Sequence, residues 1–73
     1  MEYDILLFCE IIASEGCLFL EEDIIGDEKI KWYLSRNGKR RVAISCTDEM
    51  MNLRTAKDLL RDLELDDLIE RMF

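Results

Sequence analysis

Histidine is absent from this chain, and that absence excludes a great deal. Imidazole is the commonest general base near neutral pH and the commonest metal ligand, so no site can be built on it. Cysteine is scarce. Cys9, Cys17 and Cys46 are odd in number, form no CxxC pair and match no zinc or redox spacing. They read as reduced thiols used as small apolar fillers. Long hydrophobic runs are lacking too. The longest, "ILLFC", has five residues, whereas a membrane-spanning helix needs about 20. The opening "MEYD" lacks the basic region of a secretory signal. The chain is therefore expected to be cytoplasmic, with no membrane partner.

Basic residues are missing from the first 28 positions, which hold nine acids: Glu2, Asp4, Glu10, Glu15, Glu21, Glu22, Asp23, Asp27 and Glu28. Acids are then missing from residues 29–46, which hold six bases: Lys29, Lys31, Arg36, Lys39, Arg40 and Arg41. The remainder carries eight acids and four bases, and the whole has a formal net charge of -7. Shuffling seldom sorts charges so cleanly, so the blocks have spatial meaning. With 73 residues, the chain reads as one small domain spanning 1–73. Such a domain buries roughly 60% of its unfolded surface and has a narrow stability margin.

What is present suggests alternating elements. In "EYDILLFCEIIASEG", Ile5, Phe8 and Ile12 recur at helical spacing and Gly16 suits the position past a helix end, predicting a helix over residues 2–14. Leu7 and Ile11 fall on its opposite side, so the helix is covered twice or offers an apolar patch. "CLFLEEDII" reads as a first strand. "KIKWYLS" alternates, with Ile30, Trp32 and Leu34 on one face, and "RRVAISC" returns with Val42, Ile44 and Cys46 on one face. Between them Asn37-Gly38 is a strong hairpin signal.

Uniting these two apolar faces requires Leu34 opposite Val42, Trp32 opposite Ile44 and Ile30 opposite Cys46. A one-residue slip inverts every side chain, so the pattern demands an odd loop such as Asn37-Gly38-Lys39, or a bulge. Lys31, Tyr33, Arg41, Ala43 and Ser45 would then share the outer face. After "CTDEMMN", a connecting turn with Asn52 as cap, "LRTAKDLLRDL" places Leu53, Ala56, Leu59, Leu60 and Leu63 on one stripe. The tail "ELDDLIERMF" puts Leu65, Leu68, Ile69 and Met72 on a nearly opposite stripe, which predicts a break near Glu64-Leu65 and an Asp66-capped final helix. The expected fold is α+β: α-β-β-β-α with a three-stranded antiparallel sheet packed on two helices, plus a short C-terminal helix.

This order resembles the HicA-type toxin family, small ribonucleases with a double-stranded-RNA-binding-like fold. The residues that carry the resemblance are the leading helix ending in Gly16, the hairpin "WYLSRNGKRRVAI", and "DEMMNLRTAKDLLRDLEL" as connecting turn and second helix. The family's Gly-Ser-His stretch, whose histidine carries catalysis, corresponds here to "GDEKIKW", which has neither serine nor histidine. Members are generally basic, whereas this chain is acidic. The resemblance implies the fold and not the nuclease.

The candidate chemistries separate on these residues. Glu21-Glu22 and Asp48-Glu49 are carboxylate pairs, but neighbours on a strand point to opposite faces and make a poor metal site. No cofactor, metal or small-molecule substrate is expected, and the chain reads as a non-enzyme. Lys31, Tyr33, Arg36, Lys39, Arg40 and Arg41 could contact RNA phosphates and bases, although the negative field of the whole chain opposes a polyanion. "LEED" and "KIK" can equally pair across strands. The favoured reading is a non-catalytic protein-interaction module, self-associating or docked to a protein partner, with Leu7, Ile11, Leu68, Met72 and Phe73 as interface candidates. The alternatives are RNA binding by the hairpin 29–41 and acidic mimicry of nucleic acid against a basic protein.

Overall fold

A computed structural model describes residues 2–73. Strand β1 (Glu2–Asp4) leads into helix α1 (Ile5–Ser14), then β2 (Phe19–Ile25), β3 (Glu28–Leu34), β4 (Arg41–Ser45), β5 (Met50–Asn52), α2 (Leu53–Asp62) and α3 (Asp66–Met72). The fold is α+β, with an antiparallel sheet in the order β2-β3-β4 and a short C-terminal helix. A second, two-stranded sheet pairs β1 with β5, Tyr3 facing Met51. Among the described residues no helix is long and apolar enough to cross a membrane.

Helix α1 begins three residues later than its apolar spacing suggests. Asp4 takes the cap position, its carboxylate accepting from the Leu7 N–H at 3.0 Å. The residues before it are drawn into β1 by the segment expected to be only a turn, which supplies β5. Strands of three residues are too short to leave a periodic trace.

Both of the longer helices end in the same motif. Cys17 N–H reaches Ile12 C=O at 3.0 Å while Gly16 N–H reaches Ala13 C=O at 3.2 Å. Leu65 N–H reaches Leu60 C=O at 2.8 Å while Glu64 N–H reaches Arg61 C=O at 3.1 Å. Each motif needs one left-handed residue. Gly16 adopts it at φ 100° without a Cβ to strain, and Glu64 adopts it at φ 62°. This is the predicted break. Asp66 does not cap α3, because Leu65 sits at the cap position with no side-chain bond. Leu65 is held there by full burial in the core.

The core gathers Ile5, Phe8, Cys9 and Ile12 of α1, Tyr33 of β3, Val42 and Ile44 of β4, Met51, then Ala56, Leu60, Leu63, Leu65 and Leu68. The predicted stripe of α2 is therefore the one that is buried, with Asn52 Oδ1 accepting from Thr55 N–H at 2.8 Å to start the helix.

The β3–β4 register is the one the alternation argued against. Leu34 faces Arg41, Tyr33 faces Val42, Trp32 faces Ala43 and Lys31 faces Ile44. The connection is even: Ser35 N–H bonds Arg40 C=O at 2.8 Å and encloses four residues. Buried Ser35 secures this loop, its hydroxyl donating to Asn37 Oδ1 at 2.6 Å and accepting from Arg40 N–H at 3.1 Å. Gly38 provides the left-handed corner at φ 76°. Tyr33, Val42 and Ile44 thus face the helices, while Ile30, Trp32 and Leu34 lie half-buried on the open face. A polar loop lock and the aromatic body of Tyr33 outweigh the aliphatic pattern.

Candidate interaction surface

The residues expected to form a phosphate-contacting patch are dispersed. Tyr33 is buried, and its hydroxyl pKa is pushed far above the usual tyrosine range by burial and by neighbouring Cys9. Lys31 shares that inner face, opposite Ile44 on one side and Glu22 on the other. Arg36 lies between two carboxylates, 3.0 Å from Glu15 Oε1 and 3.0 Å from Asp67 Oδ1. Arg71 joins the same pair at 3.4 and 3.3 Å. The Arg36 hydrogen bond holds the Asp67 carboxyl below its ordinary range. This cluster ties the end of α1 and the hairpin loop to α3. Arg40 meets Asp62 at 3.3 Å and Arg41 meets Glu21 at 2.6 Å. Lys39 is exposed at the loop tip. The three arginines of the block are engaged by their own chain.

The apolar interface candidates are likewise mostly occupied. Leu68 is in the core and Ile11 packs against it half-buried. Met72 is half-buried, and Phe73 stands edge-on to Tyr3 at 5.5 Å with Lys57 5.8 Å above its ring. Leu7 is the exposed one of the five, beside Leu6.

Exposed apolar side chains concentrate elsewhere. Of eight large ones among the described residues, Leu18, Phe19, Leu20, Ile24 and Ile25 belong to β2 and its lead-in, and Leu18, Ile24 and Ile25 are 62–67% exposed. Reading "CLFLEEDII" as a first strand does not disclose this exposure. The available signal is its want of alternation: the apolar run Cys17 to Leu20 and the pair Ile24-Ile25 flank three consecutive acids. A strand that buries neither face has no use for period two.

Backbone geometry locates the two edges of the sheet. Leu34 N–H points to β2, bonding Leu18 C=O at 2.8 Å, while Ser35 and Lys29 bond β4 and its end. Antiparallel bonding alternates along a strand, so in β4 the groups of Val42 and Ile44 face β3, while those of Arg41, Ala43 and Ser45 face outward. In β2 the outward groups are those of Glu22 and Ile24. Both are edges, with no further strand beside them among the described residues.

On the open face Trp32 is held by polar neighbours. Its indole N–H donates to Asp23 Oδ2 at 3.0 Å, and the Arg41 guanidinium lies 5.2 Å above its ring on the way to Glu21. This bridge runs from β4 over β3 to β2 and roofs the centre of the face. One shallow depression elsewhere is lined by Asp4, Leu6, Lys29, Thr47, Asp48 and Glu49. Among the described residues no three His, Cys, Asp or Glu side chains are grouped to hold a metal ion. The three thiols are free. Burial raises Cys17, and burial with Cys9 alongside pushes Cys46 up to about 11. Comparison with protein-family models, curated proteins and solved structures gives no match.

Proposed function

We propose that the chain is a non-catalytic protein-interaction module that self-associates and that presents the β2–β3 hairpin as its contact surface for a different protein. One observation carries this reading: five of the eight exposed large apolar side chains among the described residues sit on or beside β2, on either side of Glu21, Glu22 and Asp23. Exposed apolar side chains concentrated on one strand, with charges between them, suit protein contact better than solvent. RNA binding loses its support where Arg36, Arg40 and Arg41 are ion-paired within the chain. The HicA-type resemblance enters as a fold without its chemistry, since the stretch from Gly26 to Trp32 has no histidine.

Paired affinity capture tests the reading, using the unmodified chain and a Leu18→Ser, Ile24→Ser, Ile25→Ser variant as baits. Each lysate is divided, and half is treated with nuclease. The expected outcome is a protein retained by the unmodified chain, lost with the variant and indifferent to nuclease. Recovery of RNA, or of proteins that vanish on nuclease treatment, contradicts it.

A further inference from the structure

The two edges of the sheet differ in whether they can meet a copy of themselves. A twofold-symmetric antiparallel pairing of β2 about its central residue sets Glu22 against Glu22 and Glu21 against Asp23. Like charges directly opposite are destabilising, and three acids in a row guard that edge. The same operation on β4, centred on Ala43, sets Ala43 against Ala43 and Arg41 against Ser45. Nothing repels.

The β4 edge is also bare. Its outward-facing backbone groups belong to Arg41, Ala43 and Ser45, and two of those side chains are small and uncharged. The third is turned away: Arg41 reaches back across Trp32 to Glu21. Arg40, the next cation, is drawn to Asp62 of α2. Charges that ordinarily protect an edge strand are thus folded onto the molecule itself. Beneath β4, Val42 and Ile44 are already buried by the chain's own core. A second copy therefore has no side-chain pocket to fill, and the contact is made by backbone.

We propose that a second copy of this chain adds antiparallel to β4, Ala43 to Ala43, forming a continuous six-stranded sheet. Each of the three opposed pairs, Arg41 with Ser45, Ala43 with Ala43 and Ser45 with Arg41, exchanges two N–H···O=C bonds. The open-face stripes of Ile30, Trp32 and Leu34 then lie on one side of the joined sheet. With strands about 4.8 Å apart, the two β3 strands run roughly 14 Å from each other. The contact is isologous and closed, so it stops at two copies. It leaves both β2 edges at the far ends, free for a different partner. This inference rests on the reading of the chain as a self-associating module and specifies where that association occurs.

Sedimentation velocity from low to high micromolar concentration tests it. The expected result is a shift from the 8.7 kDa species to one of twice that mass. Ala43→Asp, a substitution at an exposed site, places two carboxylates on the axis and is expected to raise the dimer dissociation constant roughly tenfold. Ser45→Arg, which opposes Arg41, acts in the same direction and serves should the first variant lose its circular-dichroism signature. Glu22→Gln leaves the dimer unchanged. A monomer at every concentration overturns the proposal, as does a dimer indifferent to both β4 variants or one strengthened by Glu22→Gln. Because the β2 triple variant retains β4, lost capture with an intact dimer, or the reverse, separates this inference from the reading of the β2–β3 hairpin as a contact surface.

Discussion

The two faces of the three-stranded sheet are built from neighbouring residues of the same strand and live in different surroundings. On the inner face Tyr33 packs with Val42, Ile44 and the residues of α1 and α2, 5% exposed. On the outer face Trp32, one position earlier, is half-buried, roofed by an ion pair and bonded to Asp23. The larger and more apolar aromatic is on the open side. What decides the face is the connection: an even loop, fixed by the Ser35 hydroxyl and Asn37, sets the pairing, and pairing sets every side chain beyond it. Hydrophobic alternation ranks the faces by composition, but the helices cover the face the register presents.

The largest effect that could break this contrast is truncation of its two aromatics. Tyr33→Ala is expected to cost about 3–5 kcal/mol in denaturant unfolding, and Trp32→Ala only about 1–2 kcal/mol, since its ring is only partly buried. Reversed costs would restore the rejected register.

Thiol chemistry sharpens it next. With its pKa at about 11 against an ordinary 9.0, Cys46 holds about 100-fold less thiolate at neutral pH than a free cysteine. Alkylation by iodoacetamide in the native protein is expected to slow correspondingly and to recover in denaturant. The same shift carries a pH signature. The folded pKa is raised, so the contribution is fully present below 9 and is lost as pH climbs through 11. Melting temperature should fall across that window in the unmodified protein and fall less in Cys46→Ala.

A smaller effect concerns the roof of the outer face. Arg41→Ala removes the guanidinium over Trp32 and the bridge to Glu21, both exposed, and is expected to cost about 0.5–1 kcal/mol. Trp32 emission should shift to the red as water gains the ring. The smallest is at the rim: Asp67 has a lowered pKa, from bonding to Arg36 first, so its contribution exists above 3.8 and disappears as pH falls below it. Asp67→Asn should flatten the acid limb of the melting curve.

These particulars show what a sequence of this length discloses. The order of the longer elements was legible because α2 carries a clean apolar stripe, Asn52 caps it, and Gly16 ends α1. The break at Glu64 was legible because two apolar stripes on opposite sides cannot share a straight helix. The strands β1 and β5 were not, since three residues carry no period. The hairpin register was not, because it depends on one serine hydroxyl inside a polar loop whose spacing suggested a simpler turn. The basic block was visible, while its partners were hidden by distance along the chain: Arg36 finds Asp67 and Glu15, 31 and 21 positions away. The acidic segment was expected to answer those cations. It does so through Glu15 and Glu21, joined by Asp62 and Asp67 from the helical end.

The proposed interaction module has one sheet edge for its own kind and another kept from it. Residue-resolved amide exchange at low and high protein concentration addresses both edges in one sample. Protection at Arg41, Ala43 and Ser45 is predicted to rise with concentration, while Glu22 and Ile24 exchange quickly throughout. Protection that rises at Glu22 and Ile24 instead, or at neither edge, would contradict it.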